Sequence, residues 1–263
     1  MTQQKNQPPC GVLVTGAGSG IGRATAVRFA SLGHPLLCLD VRGDAVEDVT
    51  GEIRGNGGRA TAIACDVSDP VAMERSLPLD DVAWHTLGVV VSNAGVVLRK
   101  HLMNTTVEEW DQTMAVNVRG AFLVARAVVP ALARCGGVLL FVTSVAAHVG
   151  FGLPAYTASK GALVALVGEL AGELGHLGVR VNAVSPATVQ GTRVTAETLK
   201  DPAVMARTVG AIPVGRVADP DDVVNALVFL SSPGASMVNG HVLRVDGGMS
   251  TSLYNLQRPA SSG

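Results

Sequence analysis

Two side chains four residues apart, Tyr156 and Lys160, have the chemistry to move a proton together. The apolar periodicity predicts a helix over residues 155–176, and residues four apart lie on one face of a helix. A free phenol has a pKa of about 10, which is too high for a base at neutral pH. A neighbouring ammonium favours the phenolate, so this pair is suited to general acid–base catalysis. The alternative is an incidental pair on an exposed helix.

A further candidate catalytic group, a side-chain hydroxyl, lies just upstream of this pair in the sequence. Thr143 and Ser144 lie where a predicted strand passes into a loop. The hydroxyl of Ser144 could donate a hydrogen bond to a substrate oxygen as negative charge develops on it. A capping or turn serine is the alternative interpretation of Ser144.

A glycine-rich segment, GAGSGIG over residues 16–22, follows the predicted strand Val12–Thr15 and precedes a predicted helix. Glycines let the backbone approach a pyrophosphate closely, and the start of a helix offers free N–H groups to an anion. A tight turn without a ligand is the alternative. The position between the first strand and the first helix favours a dinucleotide site.

The second predicted strand ends at Asp40, about twenty residues beyond the glycine loop. A carboxylate at this point can accept both ribose hydroxyls of NAD, and it repels the 2′-phosphate of NADP. Arg42 is the opposing signal, because an arginine could bind that phosphate. An ordinary turn residue at the strand end is the alternative for Asp40. The sequence predicts NAD, with NADP less favoured.

Strand-length apolar runs alternate with helix-period stretches along nearly the whole chain. The predicted strands are Val12–Thr15, Pro35–Asp40, Ala60–Cys65, Leu87–Ser92, Val138–Thr143, Arg180–Val184 and Val242–Val245. The predicted helices cover residues 20–32, 43–55, 69–77, 106–134, 155–176 and 220–231. Runs this rich in Val and Leu are typical of parallel strands buried on both faces. We therefore expect a doubly wound α/β sheet in a single domain over residues 1–263, with segment 192–213 lying over its carboxyl edge.

The composition argues against several other classes of protein. Net charge is −1 with no basic stripe, which predicts no nucleic-acid partner and no membrane surface. The polar N-terminus does not resemble a signal peptide, and the apolar stretches are taken as strand-length, so no bilayer span is expected. Four cysteines without a CxxC motif predict free thiols in a cytoplasmic protein. Six histidines without ligand-like spacing predict no metal site.

Taken together, the motifs resemble the short-chain dehydrogenase/reductase family over residues 10–250. They are TGAGSGIG (15–22), Asp66-Val67, SNAG (92–95), Asn117, Ser144, YTASK (156–160), Ser185-Pro186 and Asp246-Gly247-Gly248. The resemblance implies a Rossmann fold with a seven-stranded, mostly parallel sheet, helices on both faces and short terminal tails. It also implies a homotetramer, with a homodimer as the alternative.

The resemblance further implies roles for particular residues. In the cofactor site, the pyrophosphate would be lined by Gly16, Ser19, Gly20, Ile21 and Gly22. Asp40 would contact the adenine ribose, and Asp66 and Val67 would lie beside the adenine. The centre of the cofactor would lie against Asn93, Ala94 and Gly95, and its nicotinamide end against Pro186, Val189 and Thr192. Tyr156 and Lys160 would contact the cofactor as well, Lys160 through the nicotinamide ribose. Asn117 would join Ser144, Tyr156 and Lys160 as catalytic residues by anchoring a proton-relaying water.

Ala146, His148, Leu153 and Ala187 are predicted to bind substrate with Ser144 and Tyr156. The spacing from Ser144 to Tyr156 is one residue shorter than is usual in the family, so either the intervening loop is trimmed or Thr143 supplies the hydroxyl.

These observations predict an NAD(H)-dependent enzyme that interconverts a secondary alcohol and a ketone. One alternative is an NADPH-dependent 3-oxoacyl-thioester reductase, and a non-catalytic NAD-binding scaffold is another. The basic cluster Arg99, Lys100 and His101 is interpreted as a solvated loop or as a site for an acyl-carrier or phosphate-bearing substrate. Small and apolar residues of the long helices, including Ala121, Ala125, Val128, Ala162, Leu166 and Leu170, are predicted to form a subunit interface.

Overall fold

The computed structural model describes residues 10–77, 86–193 and 195–251. The tails predicted at residues 1–9 and 252–263 lie outside the described residues. The seven strands are β1 (Gly11–Thr15), β2 (Leu36–Asp40), β3 (Ala60–Ala64), β4 (Leu87–Ser92), β5 (Val138–Val142), β6 (Arg180–Pro186) and β7 (Val242–Val245). They form one sheet in the order β3-β2-β1-β4-β5-β6-β7, and each neighbouring pair is parallel. The doubly wound Rossmann fold is confirmed, and its sheet is parallel throughout.

Eight α-helices connect these strands across the described residues. They are α1 (Gly20–Ser31), α2 (Gly43–Gly55), α3 (Pro70–Ser76), α4 (Val107–Met114), α5 (Gly120–Cys135), α6 (Pro154–Leu174), α7 (Pro202–Gly210) and α8 (Pro220–Ser231). Residues Ala115–Arg119 join α4 to α5 as a π-helical turn, in which the N–H of Gly120 reaches the carbonyl of Ala115. Helix α7 lies within segment 192–213.

The sheet is covered on both faces, which explains its nearly continuous apolar strands. Along β1, Leu13 packs in a core with α5 and α6, whereas Val12 and Val14 pack in a second core with α1 and α8. All three side chains are fully buried. Because side chains alternate between the faces of a strand, a strand buried on both faces needs apolar residues at every position.

The start of α4 is fixed by a capping box. The hydroxyl of Thr106 accepts a hydrogen bond from the backbone N–H of Glu109 at 3.2 Å, and the Glu109 carboxylate accepts from the N–H of Thr106 at 3.1 Å. Glu109 also accepts from Lys100 Nζ at 2.5 Å. These bonds hold the loop after β4 against the start of α4.

The continuous helix Val107–Cys135 is long and apolar enough, by length and composition, to cross a membrane. Its mean hydropathy is 1.4 over the qualifying window, half of which is buried within the protein. The prediction that apolar stretches do not exceed strand length is therefore wrong for this helix. Its residues Val124, Val128 and Leu132 are buried in the sheet core, which is the packing of a core helix in a globular domain.

Candidate active site

A cavity of about 490 Å³ lies at the carboxyl edge of the sheet. Residues that directly follow five strands line it: Gly16 after β1, Val41 after β2, Asn93 after β4, Thr143 after β5 and Ala187 after β6. Open parallel sheets place their ligand sites at this edge, because the carboxyl ends of all strands meet there.

The glycine loop forms one wall of this cavity, through Gly16, Ser19, Gly20 and Ile21. The side chain of Ser19 does not cap α1, so the first N–H groups of this helix are not satisfied by it. A Cβ on Gly22 would lie 2.1 Å from the carbonyl oxygen of Gly16. Gly22 thus packs closely beneath the loop, and its predicted pyrophosphate contact stays a prediction.

Thr15 and Asn93 tie the loop to the next strand. The hydroxyl of Thr15 accepts hydrogen bonds from the N–H groups of Asn93 at 3.0 Å and Ala94 at 3.1 Å. The Asn93 amide donates to the carbonyls of Thr15 at 3.0 Å and Gly16 at 3.3 Å. Asn93, Ala94 and Gly95 all line the cavity. Thr15 is the first residue of the TGAGSGIG motif, but no role was predicted for it, because its hydrogen bonds to Asn93 and Ala94 depend on the tertiary structure.

Asp40 is held firmly at the end of β2. Its Oδ2 accepts from the N–H of Gly18 at 2.9 Å, and its Oδ1 accepts from the N–H of Arg42 at 3.0 Å, with Arg42 Nε 3.6 Å away. A Cβ on Gly18 would lie 2.9 Å from the same Oδ2. Asp66 and Val67 line this end of the cavity with Asp40. A glycine cradle, a helix start and a recessed carboxylate fit a dinucleotide.

Ser144, Tyr156 and Lys160 line the opposite end. The hydroxyl of Thr143 donates to the carbonyl oxygen of Val184 at 2.8 Å, so its proton is already used. The oxygen of Ser144 accepts from the N–H of Ala146 at 3.1 Å, which leaves its proton for donation. Ser144 is therefore the hydroxyl placed to act in the site, and it also caps the short turn that follows β5.

Tyr156 is partly buried in the cavity wall. Burial raises the pKa of its phenol, whereas a hydrogen bond with Ser144 and the positive charge of Arg99 lower it. The sequence analysis assigned this lowering to Lys160. Burial lowers the pKa of Lys160 to about 8. Burial therefore disfavours the positive charge on Lys160 that was predicted to lower the pKa of Tyr156.

Asn117 lies behind the cavity rather than in its wall, and it is 1% exposed. Its Oδ1 accepts from the N–H of Val96 at 2.8 Å, and its Nδ2 donates to the Val96 carbonyl and to Ser159 Oγ, both at 2.9 Å. Ser159 in turn donates to the carbonyl of Tyr156 at 2.7 Å. Asn117 thus joins the loop after β4 to α6, and its predicted water-anchoring role stays a prediction.

The predicted substrate wall is partly corrected. Ala146, Leu153 and Ala187 line the cavity, and so do the predicted nicotinamide-end residues Pro186, Val189 and Thr192. His148 does not. Burial and the charge of Arg244 lower its pKa, and Asp246 raises it, which places His148 on the β7 side.

Further lining residues come from loops and helices that only the tertiary structure brings together. Val96, Val97, Gln112, Val116 and Phe151 are among those not predicted as site residues, whereas Arg99 belongs to the basic cluster and Arg193 and Thr195 to the segment 192–213 that the sequence indicated.

Comparisons with known proteins place this geometry among oxidoreductases. The family model described as Enoyl-(Acyl carrier protein) reductase matches residues 16–250. A (3R)-3-hydroxyacyl-CoA dehydrogenase of Canis lupus familiaris is 37% identical over 249 residues, covering 90% of this chain and 95% of the relative. The structure of a putative NAD(P) dependent gluconate 5-dehydrogenase from Beutenbergia cavernae, with bound NADP, is 36% identical with a TM-score of 0.85, covering 92% of this chain and 97% of that one. A 3-ketoacyl-(acyl-carrier-protein) reductase from Brucella melitensis, complexed with NADH, is 33% identical with a TM-score of 0.84, covering 93% and 100%.

Proposed function

Because this chain belongs to the short-chain dehydrogenase/reductase family and is an oxidoreductase of alcohols and ketones, we propose that it uses NAD(H) and a secondary alcohol or its ketone. The observation that carries the proposal is the meeting of Tyr156 and Ser144 in one cavity with the glycine loop and Asp40. The fold positions these side chains, and the proposed reaction follows from the side chains rather than from the fold itself.

The dinucleotide, when bound, gives hydride to the substrate carbon or takes it. Gly16, Ser19 and Ile21 would hold its pyrophosphate, and Asp40 its adenine ribose. In oxidation, Tyr156 as phenolate takes the proton of the substrate hydroxyl, and in reduction Tyr156 returns it. Ser144 donates a hydrogen bond to the same oxygen and stabilises its developing negative charge. Lys160, whose Nζ donates to the carbonyl of Val142 at 2.9 Å, would hold the second ribose.

The preference for NAD rests on Asp40. The NADP bound in the Beutenbergia structure and the NADH bound in the Brucella structure are both compatible with this fold. In this chain the recessed carboxylate of Asp40 lies beside the glycine loop, where it would meet the adenine ribose and repel a 2′-phosphate. The guanidinium of Arg42 already lies against that carboxylate, which weakens it as a phosphate ligand.

The second candidate is an NADPH-dependent 3-oxoacyl-thioester reductase, favoured by the name of the canine relative and by Arg99 in the cavity wall. A non-catalytic NAD-binding scaffold is a weaker alternative, because a binding protein does not need a hydroxyl, a phenol and a lysine gathered at one end of the cavity.

A panel of reactions followed by NAD(P)H absorbance tests these candidates. It comprises neutral secondary alcohols, polyols, hydroxy acids and 3-oxoacyl thioesters, each assayed with NAD(H) and NADP(H), with Tyr156→Phe as the matched control for contaminating activity. We expect turnover with NAD(H) that disappears in the variant. A preference for NADPH and thioesters would select the second candidate, and a wild-type protein that binds NAD without turnover would support the scaffold.

We also propose that the chain assembles as a homotetramer, with a homodimer as the alternative. Apolar side chains are exposed near and along α4 and α5, among them Leu102, Met103, Val107 and Phe122. Ala121, Ala125 and Val128, which were predicted for the interface, are instead buried in the chain's own core. Native mass spectrometry of the wild type and of Phe122→Glu tests the assembly, since a charge in such an interface should dissociate it.

A further inference from the structure

Carboxylates line one end of the cavity. Among the described residues that line it, the carboxylates are Asp40, which ends β2, and Asp66, which follows β3, and Arg42 lies against Asp40 at this end. Arg99 follows β4 and Arg193 follows β6, in the half that also carries Tyr156. The reactive end of the cavity is therefore bordered by two guanidinium groups from separate loops and by no lining carboxylate.

Lys100 and Lys200 are cations that lie outside the cavity wall. Lys100 donates to Glu109 at 2.5 Å and Lys200 donates to Glu197 at 2.8 Å, and neither lysine lines the cavity. Among the described residues that line the reactive end, the cationic side chains are Arg99, Arg193 and the buried Lys160.

We propose that the substrate carries an oxyanion, a carboxylate or a phosphate, which Arg99 binds with the help of Arg193. The proposal rests on the proposed function and names its substrate class. A planar guanidinium pairs with either oxyanion through two parallel hydrogen bonds, and a partly enclosed cavity strengthens that attraction. Arg99 and Tyr156 line the same cavity, so an anion held by Arg99 would share that cavity with the reacting oxygen.

Matched substrate pairs test the proposal while keeping the reacting ketone the same. Acetoacetate is compared with methyl acetoacetate, and acetoacetyl-CoA with the neutral acetoacetyl-N-acetylcysteamine thioester. The readout is the ratio of kcat/KM for the charged over the neutral member of each pair. Any effect of Arg99 on Tyr156 acts on both members and cancels in this ratio.

We expect the ratio of the favoured pair to exceed one in the wild type and to fall about tenfold or more in Arg99→Gln, through KM. Arg99→Lys should restore part of the ratio, and Arg193→Gln should lower it less. Lys100→Gln is the matched control, because Lys100 is the adjacent cation outside the cavity, and it should keep the wild-type ratio. A fall confined to the acetoacetate pair identifies a carboxylate, and a fall confined to the thioester pair identifies a phosphate.

Calorimetric titration of the same four compounds into each NAD-loaded variant separates this inference from the proposed function. The inference is supported if a charged compound binds more tightly than its neutral partner and if Arg99→Gln abolishes this difference. If the same protein shows no turnover, the proposed function fails and the inference still stands. Turnover of neutral ketones with equal binding of charged and neutral members overturns the inference and leaves the proposed function standing. Equal losses for both members of each pair in Arg99→Gln likewise overturn it.

Discussion

The ammonium of Lys160 lies 5.8 Å from the ring centroid of Tyr156, while its hydrogen bond goes to the carbonyl of Val142 at 2.9 Å. The lysine is 5% exposed, and burial lowers its pKa to about 8. Tyr156 is partly buried beside it and has Ser144 as its hydrogen-bond partner. The two residues are therefore held by different partners, and in the proposed mechanism Tyr156 acts with Ser144 on the substrate oxygen while Lys160 supplies a buried cation beside them.

Replacing Tyr156 with Phe should lower kcat by at least about 10²-fold, because the route for the substrate proton is removed. The dissociation constant of NAD, measured by calorimetry, should change little, since the ring remains. Wild-type turnover in the variant would contradict the assignment of Tyr156 as acid–base.

Ser144→Ala should lower kcat by about 10²-fold, because one donor to the developing oxyanion is lost. Thr143→Val is the matched control: its hydroxyl bonds Val184, so we expect a loss of about 1 kcal/mol in the free energy of unfolding with kcat largely retained. Steady-state kinetics and thermal melts of both variants measure this. The reverse pattern would show that Thr143 supplies the reacting hydroxyl.

Asp40→Asn should raise the ratio of kcat/KM for NADPH over NADH by about tenfold or more, because the charge that repels a 2′-phosphate is removed while the side-chain shape is kept. Adding Arg42→Gln should reverse much of that gain if the released guanidinium binds the phosphate. Both ratios come from assays with a common ketone. An unchanged ratio in Asp40→Asn would place cofactor choice elsewhere.

Lys160→Met should raise the melting temperature at pH 7 by about 2–6 °C while abolishing most activity. The lysine's pKa is about 8 in the fold against 10.5 as a free side chain, so unfolding takes up a proton between these values. The destabilisation of the fold by this buried charge is therefore greatest below about pH 8, and it decreases towards pH 10.5. Thermal melts at pH 7 and pH 10 should show the difference between variant and wild type shrinking.

The control for Lys160→Met is Lys100→Met, a cation in a partly exposed ion pair. It should show no gain at pH 7. A gain of equal size in both variants would mean that the effect comes from net charge rather than from burial.

Gly22→Ala should destabilise the glycine loop, because the added Cβ would lie 2.1 Å from the Gly16 carbonyl oxygen. We expect a loss of about 1–3 kcal/mol in the free energy of unfolding and weaker NAD binding. Gly51→Ala in α2 is the control, since no side chain and no backbone beyond its own helical turn lies within 4 Å of its Cβ position, and it should stabilise the helix by about 0.5–1 kcal/mol. Denaturant melts and NAD titrations distinguish the two, and a neutral Gly22→Ala would contradict the packing argument.

The sequence alone predicted the strands to within two residues at each end and the doubly wound order of elements. It succeeded because a parallel sheet covered on both faces demands continuous apolar runs, and these are visible without any contact information. It also indicated Ser144, Tyr156, Lys160 and Asp40, because their motifs lie at the ends of strands or at the start of a helix. It could not predict the π-helical turn at Ala115–Arg119, because one wide turn within a long apolar helix barely changes the periodicity.

Only the tertiary structure decided which side chains share the cavity. Arg99, Phe151 and Arg193 meet there from three loops far apart in the chain, whereas His148, two residues beyond Ala146, lies outside it. Local patterns determine elements and the residues at their ends, because propensity and burial act on neighbours in sequence. Loop directions, the partners of buried polar groups and the pKa of Tyr156 depend on packing across the whole fold, which no local pattern encodes.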